Sequence, residues 1–207
     1  VIPKALENNP SQTCADPLNW SIIIPSFKQI TAKPSEYYRL TDIYDGVSWS
    51  FDIDSFSQIF KESAEEIHRI VNLELIDANS FIGLGGEMGY YAKANQRKFQ
   101  QVALFTNSQS IHSDCVNADQ PCTLVNYDTF NLLDHHTTND SVLLINISKN
   151  GLKRLATQVN DLPFKQIIYI SCDSKSLERD IKLMPNYARS KHYPIIHSRS
   201  VSILTKN

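Results

Sequence analysis

From Ser80 to Leu183, apolar strand-like segments alternate with helical ones, and this rhythm limits the fold more than any other feature of the 207-residue chain. Five apolar segments read as strands, at 81–84, 101–105, 123–127, 142–147 and 166–171. Helical stretches are expected between them, at about 88–96, 108–117, 151–159 and 174–183. Strands that return through helices run parallel, and a parallel sheet needs helices over both of its faces. The end breaks the rhythm. Residues 187–196 and 198–205 are extended segments with no helix between them, which predicts an antiparallel hairpin at one edge of the sheet. The expected fold class is therefore α/β: Rossmann-like, mostly parallel, with an antiparallel C-terminal edge hairpin.

The segment before this rhythm is different. Pro3, Pro10, Pro17, Pro25 and Pro34 punctuate it, leaving room for short strands at 21–24 and 47–53. Residues 1–50 read as an irregular N-terminal arm, and residues 51–207 as the folded domain. Asp54 has the character of a helix N-cap, followed by Phe56, Ile59, Phe60, Ile67, Ile70 and Val71 at helical spacing. A hydrophobic content of 42%, with 20 basic against 22 acidic residues, excludes a mainly disordered chain. No apolar run approaches the ~18 residues of a membrane span; Ile22-Ile23-Ile24 stops at Pro25. The cysteines at 14, 115, 122 and 172 form neither a CxxC pair nor a regular framework. Reduced thiols, and an intracellular setting in the cytoplasm or an organellar matrix, are the expectation. No signal peptide is read in the first residues. The start at Val1 rather than Met leaves organellar import or an upstream domain open.

Charge is unevenly placed. Residues 1–148 carry 9 basic and 18 acidic side chains, whereas residues 149–207 carry 11 basic and 4 acidic. A basic C-terminal segment on an acidic chain suits an anion or nucleic-acid contact. The plainer alternative is a lysine-rich solvated surface.

Two motifs carry chemistry. The first is Gly83-Leu84-Gly85-Gly86-Glu87-Met88-Gly89, between a strand and a helix. Glycines there let backbone approach a ligand closely and aim helix N–H groups at it, so Gly83, Gly85, Gly86 and Gly89 are the candidate cofactor-binding residues. A dinucleotide site would want a carboxylate after the next strand, but this one ends Leu104-Phe105-Thr106-Asn107. A tight turn without a ligand is the alternative. In overall arrangement, a doubly wound sheet finished by an antiparallel strand is similar to the class I methyltransferases that use S-adenosylmethionine.

The second motif runs from Gln166 to Ile181, with Tyr169-Ile170-Ser171-Cys172-Asp173-Ser174 at its centre and Leu177 and Arg179-Asp180 after it. It resembles the nucleophile motif of the RNA uracil-5-methyltransferases, a strand ending Tyr-hydrophobic-Ser-Cys-Asn-Pro before a helix with Thr-Leu and Arg-Asp. Asp173-Ser174 replaces the Asn-Pro. A cysteine between a strand end and a helix N-terminus is placed where the dipole favours a thiolate. Without the resemblance, a lone cysteine there would read as a small buried hydrophobe. The resemblance extends over roughly residues 45–207. Asn146-Ile147-Ser148-Lys149-Asn150-Gly151-Leu152 is similar to the family's Asp-Pro-Pro-Arg-x-Gly-Leu, with Asn146 for Asp and Lys149 for Arg. Phe56-Ser57-Gln58-Ile59-Phe60 is similar to Phe-x-Gln-x-Asn, keeping Gln58. His197-Ser198-Arg199 stands where the family has His-x-Glu.

The resemblance implies S-adenosylmethionine as cofactor, RNA as substrate, Cys172 as nucleophile, and Gln58, Asn146 and Arg199 around the base. It also implies a loss. The family reaction needs a carboxylate to remove the C5 proton of the uracil, and a guanidinium cannot do so. His197 is the nearby substitute, and the missing carboxylate after the second strand weakens ribose binding. The cofactor itself is therefore in question. The first reading is an impaired, pseudoenzyme-like relative that associates with RNA or a ribonucleoprotein, with room for protein partners and no membrane. Lys149, Lys153, Arg154, Lys175 and Arg179 would provide the basic RNA-binding surface. The second reading is an active RNA methyltransferase using Cys172, and the third a methyltransferase of other specificity, such as ribose or cap methylation, in which Cys172 is incidental. No metal site is expected: Asp134-His135-His136 reads as a polar surface loop, Glu65-Glu66 as a solvated helix face, and Cys115 and Cys122 lack further ligands.

Overall fold

The longest uninterrupted apolar runs become central strands, because only strands covered on both faces tolerate them. The computed structural model describes residues 20–23, 29–32, 39–44, 46–52, 55, 60–135, 139–196 and 198–207. In chain order the strands are β1 (Trp20–Ile23), β2 (Gln29–Ala32), β3 (Arg39–Tyr44), β4 (Val47–Asp52), β5 (Ser80–Gly85) and β6 (Gln101–Thr106). They continue with β7 (Cys122–Leu124), β8 (Ser141–Asn146), β9 (Gln166–Ser171), β10 (Tyr187–Ile195) and β11 (Arg199–Lys206). The helices are α1 (Lys61–Glu74), α2 (Met88–Ala94), α3 (Gln109–Asn117), α4 (Leu155–Asp161) and α5 (Ser174–Lys182).

The main sheet has the order β10-β11-β9-β8-β5-β6-β7. β5 to β9 pair in parallel, while β11 enters antiparallel between β9 and β10. The expected hairpin and its edge position are thus found, with β10 as the outermost strand. Every residue of β5, β8 and β9 is buried. Their side chains alternate between two apolar clusters. Phe81, Val142, Leu144 and Ile168 meet α1, α2 and the N-terminal strands on one face. Ile82, Leu143, Ile145 and Ile167 meet α4 and α5 on the other. The chain leaves β5 toward β6 and β7, then returns to place β8 on the opposite side. The topological switch point therefore lies between β5 and β8.

Several expectations need correction. Among the described residues, the segment up to Asp52 holds four strands rather than two, forming an antiparallel sheet of order β1-β2-β3-β4. Position 50/51 falls inside β4, and Leu40, Tyr44, Trp49 and Phe51 belong to the same apolar cluster as α1 and α2. Helix α1 starts at Lys61, with the half-exposed Phe60 at its N-cap position and no side-chain cap. Asp54, Phe56 and Ile59 lie outside the described residues; at Ser55 the chain is still turning, its N–H bonded to the Asp52 carbonyl. Helix α4 begins four residues later than expected, because Gly151 and Lys153 have positive φ. β7 ends at Leu124, before the Asx turn in which Asp128 N–H donates to Asn126. Among the described residues no helix is long and apolar enough to cross a membrane.

A buried carboxylate ties the last part of this frame together. Asp180 is fully buried, and its Oδ2 accepts from the Leu152 N–H at 2.5 Å and the Tyr169 hydroxyl at 2.8 Å. Its Oδ1 accepts from Arg179 Nε and Nη2 at 3.0 and 2.7 Å. Arg179 also donates to the Asn150 carbonyl at 2.7 Å. A Cβ at Gly151 would collide with this carboxylate, so the turn needs glycine for space as well as for φ +69. Burial, followed by the Asp180 charge, holds the Tyr169 phenol well above its ordinary range, so it remains a donor. We expect Asp180→Ala to lower the unfolding free energy by about 3 kcal/mol or more, since it leaves several buried donors unpaired. Urea denaturation checks this; a loss below about 1 kcal/mol would contradict the clasp.

Candidate functional site

The carboxyl ends of β5, β6, β8 and β9 open on a cavity of about 360 Å³. This lies within the roughly 300–1,000 Å³ of small-molecule sites, at the crevice where doubly wound sheets bind ligands. Gly85 and Gly86 form one wall, Thr106 and Asn107 continue it past β6, and Ile111 and Tyr127 add apolar surface. Asn146, Ser148 and Lys149 come from β8 and the turn after it. Ser171 and Cys172 come from β9, and Arg199 from the start of β11.

The glycine turn divides into two roles. Gly85 has φ +106, and a Cβ on it would run into the backbone carbonyl of Asn146. Only glycine lets β5 and β8 approach this closely, and Gly86 N–H then donates to the Asn146 carbonyl at 2.8 Å. Gly83 and Gly89 do not line the cavity. Gly83 packs against Leu104 and Met88, and Gly89 against Trp49 and Cys115, so their small size serves the seat of α2.

Asn146 is buried, and both of its amide hydrogens have acceptors. Its Nδ2 donates to the Gly86 carbonyl at 3.0 Å and to Glu87 Oε2 at 3.3 Å. Glu87, quoted in the glycine motif but given no role there, is the site residue the sequence reading missed. It sits in the left-handed region at φ 57 as the N-cap of α2, with its carboxylate buried and 3.9 Å from His68 Nε2. An acidic side chain inside a glycine turn was the available signal. His68 is enclosed by Tyr44, Tyr90 and Tyr91 at ring-centroid distances of 4.2, 4.3 and 5.1 Å. Burial and then the Glu87 charge push the Tyr91 phenol far upward.

Cys172 is exposed, at the mouth of the sheet between β9 and α5. The turn around it is held by Asp173, the N-cap of α5, which accepts from Ser176 N–H at 2.8 Å, and by the Ser171 hydroxyl, which donates to the Asp173 carbonyl at 2.9 Å. The β9–β11 register pairs Ser171 with Ser200. Cys172 and Arg199 are the next residues along the two strands, and both line the cavity. Arg199 Nε is buried and has no hydrogen-bond partner among the described residues. Among the described residues, no carboxylate lines the cavity.

The remaining sequence-predicted residues scatter. Gln58 and His197 lie outside the described residues, as does His136. Of the five basic candidates only Lys149 lines the cavity. Lys153 is exposed just before α4, and Lys175 is exposed in the first turn of α5. Arg154 is also exposed, but its guanidinium donates to the Phe130 carbonyl at 2.6 Å, and Arg179 is spent on Asp180 and Asn150. His135 stacks on Phe130 at 5.3 Å and leans on Phe105 at 4.9 Å.

Thiol accessibility gives a direct check. In the native protein, alkylation followed by peptide mass spectrometry should mark Cys172 well ahead of Cys115, which is buried in the core. Equal protection of the two would remove Cys172 from the cavity mouth.

No protein-family model matches the sequence, and neither does any curated protein. Solved structures do match. The tRNA (uracil-54, C5)-methyltransferase of Pyrococcus abyssi, in complex with S-adenosyl-L-homocysteine, is 18% identical over 81% of this chain and 44% of its own, with a TM-score of 0.64. The tRNA m1G37 methyltransferase of M. jannaschii is 8% identical over 86% of this chain and 61% of its own, with a TM-score of 0.57. The N-methyltransferase NodS from Bradyrhizobium japonicum is 6% identical over 70% of this chain and 87% of its own, with a TM-score of 0.54. This chain therefore spans less than half the length of the Pyrococcus enzyme. At these identities the likeness is one of architecture, and the chain has the Rossmann-like fold of S-adenosylmethionine-dependent methyltransferases.

Proposed function

We propose that this chain is an RNA uracil-5-methyltransferase-like protein that binds S-adenosylmethionine and RNA but has lost efficient methyl transfer, acting as an RNA- or ribonucleoprotein-associated component. The observation that carries the reading is the company of Cys172: an exposed thiol shares its cavity with Arg199, and no carboxylate is among the described residues that line it. The same cavity supports the cofactor. Its volume, the glycine wall at Gly85 and Gly86, and the apolar Ile111 and Tyr127 suit an adenosyl group. Thr106 and Asn107 would meet the ribose with neutral groups instead of a carboxylate. The bound cofactor would supply an electrophilic methyl group.

The residues of the chain would then divide the work unevenly. The Cys172 thiolate would add to C6 of a uracil, raising electron density at C5. After methylation, a base must take the C5 proton so that the C5–C6 double bond reforms and the thiolate leaves. Arg199 stays protonated and cannot accept that proton. It would instead stabilise the thiolate or hold a phosphate. Lys149, Lys153 and Lys175 would contribute the positive surface around the mouth. A second reading, an active RNA methyltransferase using Cys172, is favoured by the exposure of that thiol.

Three measurements test this. Titration with S-adenosylmethionine should raise thermal stability, adding about 2.7 kcal/mol at one hundred times its dissociation constant; no shift at millimolar concentration would refute the cofactor. RNA affinity should fall steeply with salt, as phosphate contacts release counterions, and a flat dependence would count against RNA. With uridine-containing RNA and cofactor, the wild-type protein should give no multiple turnover. Repeated formation of 5-methyluridine, abolished by Cys172→Ala, would establish the second reading in place of the first.

A further inference from the structure

We infer that Cys115 and Cys122 form a redox-active dithiol, which small disulfides such as oxidised glutathione convert reversibly to an internal disulfide. The two residues are seven apart in sequence, and a turn brings them back together. Cys115 lies near the end of α3, and Cys122 opens β7. The Cys115 carbonyl accepts from the Ala118 and Gln120 N–H groups at 3.1 and 2.9 Å, and Asp119 takes φ 55. The helix ends there and the chain reverses into the strand.

The strand register then decides which way Cys122 points. β7 runs parallel to β6 with Cys122 opposite Leu104, and residues paired across neighbouring strands leave the sheet on the same face. Leu104 and Cys115 are buried in one apolar cluster, and Cys122 packs against it. Both thiols thus lie between α3 and the sheet, where they hydrogen-bond to each other. Among the described residues, no group of three or more His, Cys, Asp or Glu side chains is placed to hold a metal. Neither cysteine lines the cavity that holds Cys172. Two thiols in contact, without further ligands, can be joined by oxidation.

Their surroundings differ, and the difference sets the order of events. Cys115 is buried, whereas Cys122 is half-buried. Hydrogen bonding to Cys122, followed by burial, pushes the Cys115 thiol far up, while hydrogen bonding to Cys115 brings the Cys122 thiol below its ordinary value. The thiolate is the form that attacks a disulfide, so Cys122 enters first and Cys115 resolves. The Cys122 sulfur bonds to one sulfur of the small disulfide, and the other sulfur leaves as a thiolate. The Cys115 sulfur then bonds to the Cys122 sulfur and expels the second thiolate. The protons of the two cysteines end on the two released thiols. One protein disulfide forms as one small disulfide is reduced. The new bond would join the helix that carries Ile111 to the strand that leads to Tyr127, two side chains of the cavity wall.

The test equilibrates the full chain, folded and initially reduced, with mixtures of reduced and oxidised glutathione. Acid-quenched samples are mapped by mass spectrometry without reduction. The Cys115–Cys122 link should exceed the open glutathione adduct on Cys122 by at least about tenfold, because the resolving thiol attacks within the molecule. Dithiothreitol should return both thiols. Free Cys115 and Cys122 after oxidation would overturn the inference, whether or not the exposed Cys172 has taken up glutathione. So would a lasting adduct on Cys122 beside a free Cys115, or pairing of either residue with another cysteine. In Cys115→Ser the reaction should stop with glutathione on Cys122, and a folded variant whose Cys122 stays unmodified would overturn the order of attack. The wild-type mapping needs no variant, so poor folding of Cys115→Ser leaves the main test standing.

Discussion

The close approach of β5 and β8 at their carboxyl ends governs the rest of the site. These strands flank the switch point, where successive helices leave on opposite sides and a crevice must open. The crevice has a defined wall because Gly85, at φ +106, brings its backbone against the Asn146 carbonyl. The Gly86 N–H closes the contact, and the Asn146 amide returns a bond to the Gly86 carbonyl. Two strand ends are thus stapled by reciprocal bonds, and α2 starts from the stapled turn. Nothing larger than hydrogen fits at Gly85, so the position and shape of the cavity follow from one residue type.

The residues that carry the family resemblance fall into two sets with different physical duties. Gly151, Leu152, Tyr169, Arg179 and Asp180 form one hydrogen-bonded unit around a buried carboxylate. They are matched because each is held by the others: a buried charge left without its donors costs several kcal/mol, so the set changes together or not at all. The second set faces the cavity, and there the chain departs from the pattern at Asn146 and Arg199. Substitutions at a cavity wall break no such network. A framework can persist in this way while the chemistry at its mouth drifts.

How much of this could be read from the sequence depended on the kind of interaction involved. The parallel strands were legible because buried strands need unbroken apolar runs, and β5, β8 and β9 have them. The hairpin was legible because no helical period separates its segments. The N-terminal sheet was not, since prolines obscure short strands whose pairing is set by neighbours distant in sequence. The start of α4 was missed because positive φ at the non-glycine Lys153 comes from the Asp180 clasp rather than from local propensity. At the site, Cys172, Asn146, Lys149, Arg199, Gly85 and Gly86, singled out by separate motifs for separate roles, all line one cavity. Gly83 and Gly89 were named with them because a spacing rule does not distinguish a glycine that yields to a ligand from one that yields to a tryptophan. Arg154 and Arg179 were grouped with the lysines because charge is visible in a sequence and an occupied guanidinium is not.

Electrostatics complete the picture of the cavity. Among the described residues its charged lining side chains, Lys149 and Arg199, are both cationic, and the Glu87 carboxylate next to the glycine turn contacts Asn146 and His68. The negative charge thus lies against a neutral amide, and the positive charge is left at the mouth. A site of this character suits an anionic ligand, and none of the described residues that line it is a carboxylate or an imidazole. Recognition needs only donors, acceptors and shape, whereas turnover in the proposed reaction also needs a base, and at position 199 the chain carries a permanent cation.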